Sequence, residues 1–156
     1  TTVALAAHNA AFDVSFLPPL GFPVICTKRL AKKLLPELEA YGNQFLRYHL
    51  KLDIPDEIKA MSMHRAYADA AVTAYLLLRE LQELVSRASD PASITVDGIL
   101  EWIAKPNLLK TCNFGKHKGV PWADVPKSYL SWMLSPNGMT DMDEDTRFTA
   151  EHWLKS

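Results

Sequence analysis

The 156 residues suffice for one sizeable buried core, or for a core with a small appendage. With 48% hydrophobic residues, 22% charged residues and a net charge of -1, the chain is not disordered by composition and does not carry a general polyanion-binding surface, so any nucleic-acid contact has to be local. No apolar run reaches the roughly 20 residues that span a bilayer, and residues 1–7 lack the basic start of a signal peptide, which predicts a cytoplasmic protein with no membrane partner. Cys26 and Cys112 each stand outside any Cys/His cluster, so neither a zinc site nor a disulfide scaffold is expected.

Residues 3–7, Val-Ala-Leu-Ala-Ala, read as a short, wholly apolar strand of the kind buried inside a sheet. Such a strand needs neighbours, and a segment preceding it is expected. His8-Asn9 makes a turn, and residues 10–17 have helical spacing closed by Pro18-Pro19 and Gly21. Val24-Ile25-Cys26 is a second strand, and Thr27 is placed to cap a helix running to about Leu35 and stopped by Pro36. Alternation of this kind predicts an α/β fold.

A helix is expected over 42–50, then a loop over 52–63 broken by Pro55. Residues 65–87 give the clearest helix, with Ala66, Ala70, Thr73, Leu77, Leu81 and Leu84 recurring at three or four as its apolar stripe. After Ser89-Asp90-Pro91, a helix over 95–104 is capped by Thr95. The boundary is expected around Lys105 to Lys110. Beyond it, Phe114-Gly115-Lys116-His117-Lys118-Gly119 forms a glycine-bracketed basic turn, and helices over 128–134 and 143–154 complete a small aromatic-rich module with Trp122, Trp132 and Trp153 as its core.

Phosphodiester hydrolysis needs an ionised water and charge compensation on the attacking and leaving oxygens, which two divalent cations roughly 3.5–4 Å apart provide. Hard cations require oxygen ligands, so dispersed carboxylates with a nearby histidine are the signature. Residues 8–17 offer Asn9 as a cap and Asp13 in the first turns, turned toward the C-terminal end of the first strand, where open α/β sheets bind ligands. Residues 64–70 offer His64 on a loop and Asp69 on the long helix, and an imidazole suits acceptance of a proton from water. On spacing alone both sets also suit the blander role of capping a helix and complementing its dipole.

Together, His8-Asn9-x-x-Phe12-Asp13-x-x-Phe16-Leu17 and His64-Arg65-Ala66-x-x-Asp69-Ala70, with Thr73 and Leu77, resemble the second and third motifs of the DEDDh 3'-5' exonucleases. Residues 25–31, Leu34-x-Pro36, the turn 114–119, Tyr129-Leu130-x-Trp132 and Arg147-Phe148-Thr149 narrow the resemblance to the exodeoxyribonuclease X group. The resemblance implies a ribonuclease-H-like α/β fold, incomplete at its N-terminal side. It implies an exonuclease portion over 1–88, a helix and linker over 89–110 and a small C-terminal module over 111–156. Carried over, it makes Asp13 and Asp69 ligands of Mg2+ or Mn2+ and His64 the general base, and has Phe12 pack the motif turn. His8, Asn9, Phe12 and Arg65 then become nucleic-acid contacts, and DNA with a single-stranded 3' end becomes the partner; a homodimer is left open.

The family's first motif, an Asp-x-Glu on the preceding strand, has no counterpart in these residues. Asp53, Asp56 and Glu57 fall in a polar loop, and Asp141, Asp143, Glu144 and Asp145 open the last helix, where solvation and dipole complement account for them. The expectation is a metal-dependent exodeoxyribonuclease whose residues 1–156 are inactive alone. Lys28, Arg29, Lys32 and Lys33 form a basic helix face suited to phosphates, and Lys116 and Lys118 could guide a strand, with Trp122 or Tyr129 available for stacking. A noncatalytic nucleic-acid-binding fragment and a DEDDh exoribonuclease are the competing readings, since nothing here reads a 2'-hydroxyl.

Overall fold

Strand β1 (Leu5–Ala7) pairs in parallel with β2 (Val24–Cys26), setting Leu5 opposite Val24, Ala6 opposite Ile25 and Ala7 opposite Cys26. Parallel strands need a crossover, supplied here by α1 (Ala10–Val14) and the Pro18-Pro19 and Gly21 turn. The computed structural model describes residues 3–60 and 66–156, and the chain divides into two units, Thr1–Ala104 and Lys105–Ser156.

In the first unit, β2 leads directly into α2 (Thr27–Leu34), followed by α3 (Asn43–His49), the one-turn α4 (Asp56–Lys59) inside the expected loop, the long α5 (Ala66–Arg87) and α6 (Val96–Ala104). The cap predicted for Thr95 is present, its Oγ1 accepting from Gly98 N–H at 3.1 Å. That predicted for Thr27 is not. Cys26 holds the cap position, and Thr27 lies buried inside the helix with its hydroxyl turned to β1 and His8. Two arginines cap helix ends instead: Arg87 donates to the Leu34 carbonyl of α2 at 2.8 Å, and Arg29 to the Ile103 and Ala104 carbonyls of α6 at 2.6 and 3.1 Å.

The main core of this unit joins Ile25, Cys26, Leu30, Leu34, Ile99 and Ile103, with Leu77, Leu81 and Leu84 of α5 packed against them. A second cluster joins Ala31, Leu46 and Leu76 across α2, α3 and α5. Of the predicted stripe, Thr73 is buried and Leu77, Leu81 and Leu84 pack on the main core, but the fully buried positions of α5 are Ala68, Val72, Thr73, Leu76 and Glu80, and Ala66 and Ala70 are exposed. Small alanines carried the helical period, but α2 and α3 lie over the face that holds Val72 and Leu76. β1 also differs from expectation. Leu5 is 36% exposed and Ala6 is exposed, because among the described residues β2 alone pairs with this strand.

The second unit is built around Trp122, which is fully buried among Cys112, Val125, Leu130, Met133 and Ala150. Its chain makes a tight excursion in which Cys112 N–H meets the Val120 carbonyl at 2.9 Å and Gly119 N–H the Cys112 carbonyl at 2.7 Å. Gly115 and Gly119, at φ +61° and +86°, provide the left-handed backbone this turn requires. Two helices close the unit, α7 (Lys127–Leu134) and α8 (Glu144–Lys155), the latter capped by Asp143, which accepts from Thr146 N–H at 2.9 Å. Asp145 is not the solvated acid expected. It is buried and accepts from the Asn107 backbone N–H at 2.8 Å, tying the segment before the turn to α8. Trp132, expected in the core, is 47% exposed.

Candidate active site

A cleft of about 950 Å³ opens in the first unit at the C-terminal end of β1. Its walls are Ala6, Ala7 and His8 from the strand end, Asp13 from α1, the start of α3 from Gly42 to Phe45, and one side of α5 from Ala66 to Leu78. Ala66 and Ala70, which do not serve the core, line this wall, and their small side chains leave the cleft open.

Asp13 and Asp69 both face this cleft, one from each motif. Asp13 is exposed on α1, whose first residue, Ala10, donates its N–H to the buried Cys26 Sγ at 3.4 Å. Asn9 precedes the helix without capping it: its side chain makes no cap bond, and its φ of 66° and ψ of 44° place it in the left-handed region that asparagine tolerates. Asp69 lies in the first turn of α5, where Gln44 Nε2 approaches its Oδ1 at 3.4 Å. Asn43 Nδ2 donates to the Asp69 carbonyl at 3.1 Å and to Thr73 Oγ1 at 3.2 Å, while the Thr73 hydroxyl donates back to the Asp69 carbonyl at 2.8 Å. This ties the start of α3 to the Asp69 turn. Asn43 and Gln44 went unnoticed in the sequence, where they read only as the polar start of a helix.

His8 lines the cleft, but both its ring nitrogens are engaged. Nε2 lies 2.8 Å from the Tyr41 carbonyl, which can only accept, so Nε2 carries the proton and Nδ1 receives the Thr27 hydroxyl at 2.9 Å. Burial holds its pKa below the ordinary histidine value, with Lys28 adding to the effect against the pull of the Tyr41 carbonyl and of Asp13. This histidine buttresses the turn and has no nitrogen left for a phosphate. Phe12 does not pack the motif turn inward; it is 62% exposed and meets Phe16 edge-to-face at 5.1 Å.

His64 and Arg65 lie outside the described residues. Among the described residues no three His, Cys, Asp or Glu side chains gather closely enough to hold a metal ion. Asp13 and Asp69 are hard oxygen donors of the type that magnesium or manganese takes, but two carboxylates fall short of the charge of two divalent ions. The donor set therefore fits part of such a centre. Lys28 is half-buried beside His8, whereas the Arg29 guanidinium serves the end of α6. Among the described residues no helix is long and apolar enough to cross a membrane, and Cys26 and Cys112 are free and buried.

A short parallel β-pair with helices packed against it and carboxylates at the strand's C-terminal end defines an α/β protein of the ribonuclease-H-like exonuclease kind. Comparison with known proteins gives the relationship. No family model matches the sequence. The chain is 33% identical over 153 residues to Exodeoxyribonuclease 10 of Escherichia coli K12, covering 96% of this chain and 64% of that protein. It is 39% identical over 93 residues to a PolC-type DNA polymerase III of Oceanobacillus iheyensis, covering 53% of this chain and 6% of the polymerase. Among solved structures, Exonuclease X in complex with 5' overhanging duplex DNA aligns with a TM-score of 0.53 at 28% identity, over 66% of this chain and 56% of that one. The chain is thus related to exodeoxyribonuclease X and, through it, to the DEDDh exonucleases, and spans 64% of the length of that Escherichia coli relative.

Proposed function

We propose that the cleft belongs to a metal-dependent 3'-5' exodeoxyribonuclease hydrolysing phosphodiester bonds at DNA 3' ends, and that residues 1–156 taken alone are inactive. The observation that supports this most is the convergence of Asp13 and Asp69 on one cleft at the C-terminal end of β1. In this reading Asp13 and Asp69 hold magnesium or manganese, Gln44 and Asn43 orient the Asp69 turn, and His64 takes the proton of the attacking water. Two divalent ions, when bound, would compensate charge on the attacking and leaving oxygens.

DNA is the proposed partner, entering as a single-stranded 3' end. Lys28, Arg65, Lys116 and Lys118 supply phosphate contacts, and exposed Phe12 is placed to meet a base. Arg29 and His8 are not assigned to the nucleic acid, because their polar atoms are committed to α6, Thr27 and Tyr41. Free buried cysteines agree with a cytoplasmic location.

The deciding assay follows nucleotide release from a 3'-labelled DNA strand in magnesium, comparing residues 1–156 with a longer protein that carries them. Release is expected only from the longer protein, and Asp69→Asn in it should lower the rate by a factor of about 100 or more. Degradation by residues 1–156 that disappears on Asp13→Ala would overturn the incomplete ligand set. Equal release from an RNA strand would move the substrate class.

A further inference from the structure

Helix α7 turns Leu130 and Met133 into the core of the second unit and sets Tyr129 and Trp132, three residues apart, on an adjoining face. Their rings lie 5.3 Å apart at a tilt of 32°. Tyr129 is half-buried and Trp132 is 47% exposed. About half of this indole is thus left open to solvent, in a unit that buries Trp122 completely.

The glycine-bracketed turn is folded against the same tyrosine. The Lys116 ammonium sits 5.0 Å from the Tyr129 ring centroid, and the His117 ring meets Tyr129 edge-on at 4.5 Å. Gly115, at φ +61°, brings its backbone so near that a Cβ there would lie 3.0 Å from the Tyr129 hydroxyl. Lysine, tyrosine and tryptophan therefore form one row, held in place by the turn. Lys118, two residues further along the same turn, is exposed, and among the described residues neither Lys116 nor Lys118 has a carboxylate partner.

We propose that the face formed by Lys116, Lys118, Tyr129 and Trp132 is a binding site for single-stranded nucleic acid, which stacks a base on the Trp132 indole and places its phosphates against the two lysines. Charge and ring type select this occupant. An open indole takes the flat face of a base, unpaired ammonium groups take phosphate, and only an unpaired strand presents both together. A duplex hides its base faces, and an apolar protein partner would leave the lysines desolvated without a counter-charge. The site rests on the nucleic-acid reading given above but needs none of the metal chemistry of the first unit.

Fluorescence anisotropy of a labelled oligothymidylate, titrated with residues 1–156 in EDTA, tests it without catalysis. Trp132→Ala should weaken binding about 5- to 100-fold, with Trp132→Phe recovering most of the loss. An abasic strand of equal length should bind wild type correspondingly less well. Lys116→Ala with Lys118→Ala should reduce the slope of log K against log salt by about 1.4. Far-ultraviolet circular dichroism confirms that each variant is folded. The site is ruled out if wild type ignores the oligonucleotide, if Trp132→Ala binds like wild type, or if the abasic strand binds equally well. Should these fail while Asp69→Asn still abolishes release by the longer protein, the cleft reading stands and this one falls.

Discussion

Glu80 is 2% exposed on α5, and both its carboxylate oxygens are buried without a hydrogen-bond partner. Burial, with a smaller contribution from Cys26, pushes its pKa up to about 9, so the group is a neutral acid at pH 7. The unfolded chain holds that proton only below about 4.5, so between the two values the folded state binds more protons and stability falls as pH rises. Glu80→Met removes this cost and should stabilise the first unit by about 3 kcal/mol at pH 7, with little gain at pH 4.5, measured by urea denaturation at the two pH values. His8 works in the opposite sense over a different window. Its folded pKa is lowered, so stability is complete above about 6.5 and declines as pH falls below that, when the unfolded ring takes up a proton that the buried one refuses. His8→Gln should flatten this acid arm in thermal melts between pH 7.5 and 5.5, at the cost of about 1–3 kcal/mol for the contacts to Thr27 and Tyr41.

Among the elements, the end of α7 is closely met by Gly138, four residues beyond Leu134. A Cβ on Gly138 would fall 1.9 Å from the Trp132 carbonyl oxygen and 2.8 Å from that of Met133, both backbone atoms with no room to move. Gly138→Ala should therefore destabilise the second unit by about 2 kcal/mol or more, seen as a lower denaturation midpoint. Requirements of this kind leave no trace in the periodicity of a helix, and neither does the exposure of Trp132. Caps are different, because they depend on a few adjacent residues: Thr95 was recognisable and is present, while Asp143, read only as an acid opening the last helix, proves to be its cap. Thr27 shows the limit. Its sequence context is that of a cap, but His8 and Ala7 approach from β1 and take its hydroxyl. The buried face of α5 was likewise decided by where α2 and α3 dock.

Over the whole molecule, each unit has its own core, one around Leu30 and Ile103 and the other around Trp122 and Leu130. That Asp13 and Asp69 would face one cleft was legible from the two motifs that carry them, one just after a strand and one in the first turn of a long helix. Asn43 and Gln44 were not, since their part arises only once α3 meets the first turn of α5. β1 has the simplest geometry and the most direct readout. Leu5 N–H is bonded to the Pro23 carbonyl at 2.9 Å, and the alternation of a parallel ladder turns the Ala6 N–H to the opposite edge, where no strand pairs among the described residues. In hydrogen–deuterium exchange Leu5 should be slow and Ala6 fast. Any strand that comes to lie along this edge would slow Ala6 while leaving Leu5 unchanged, so this one amide reports whether the sheet has gained a neighbour.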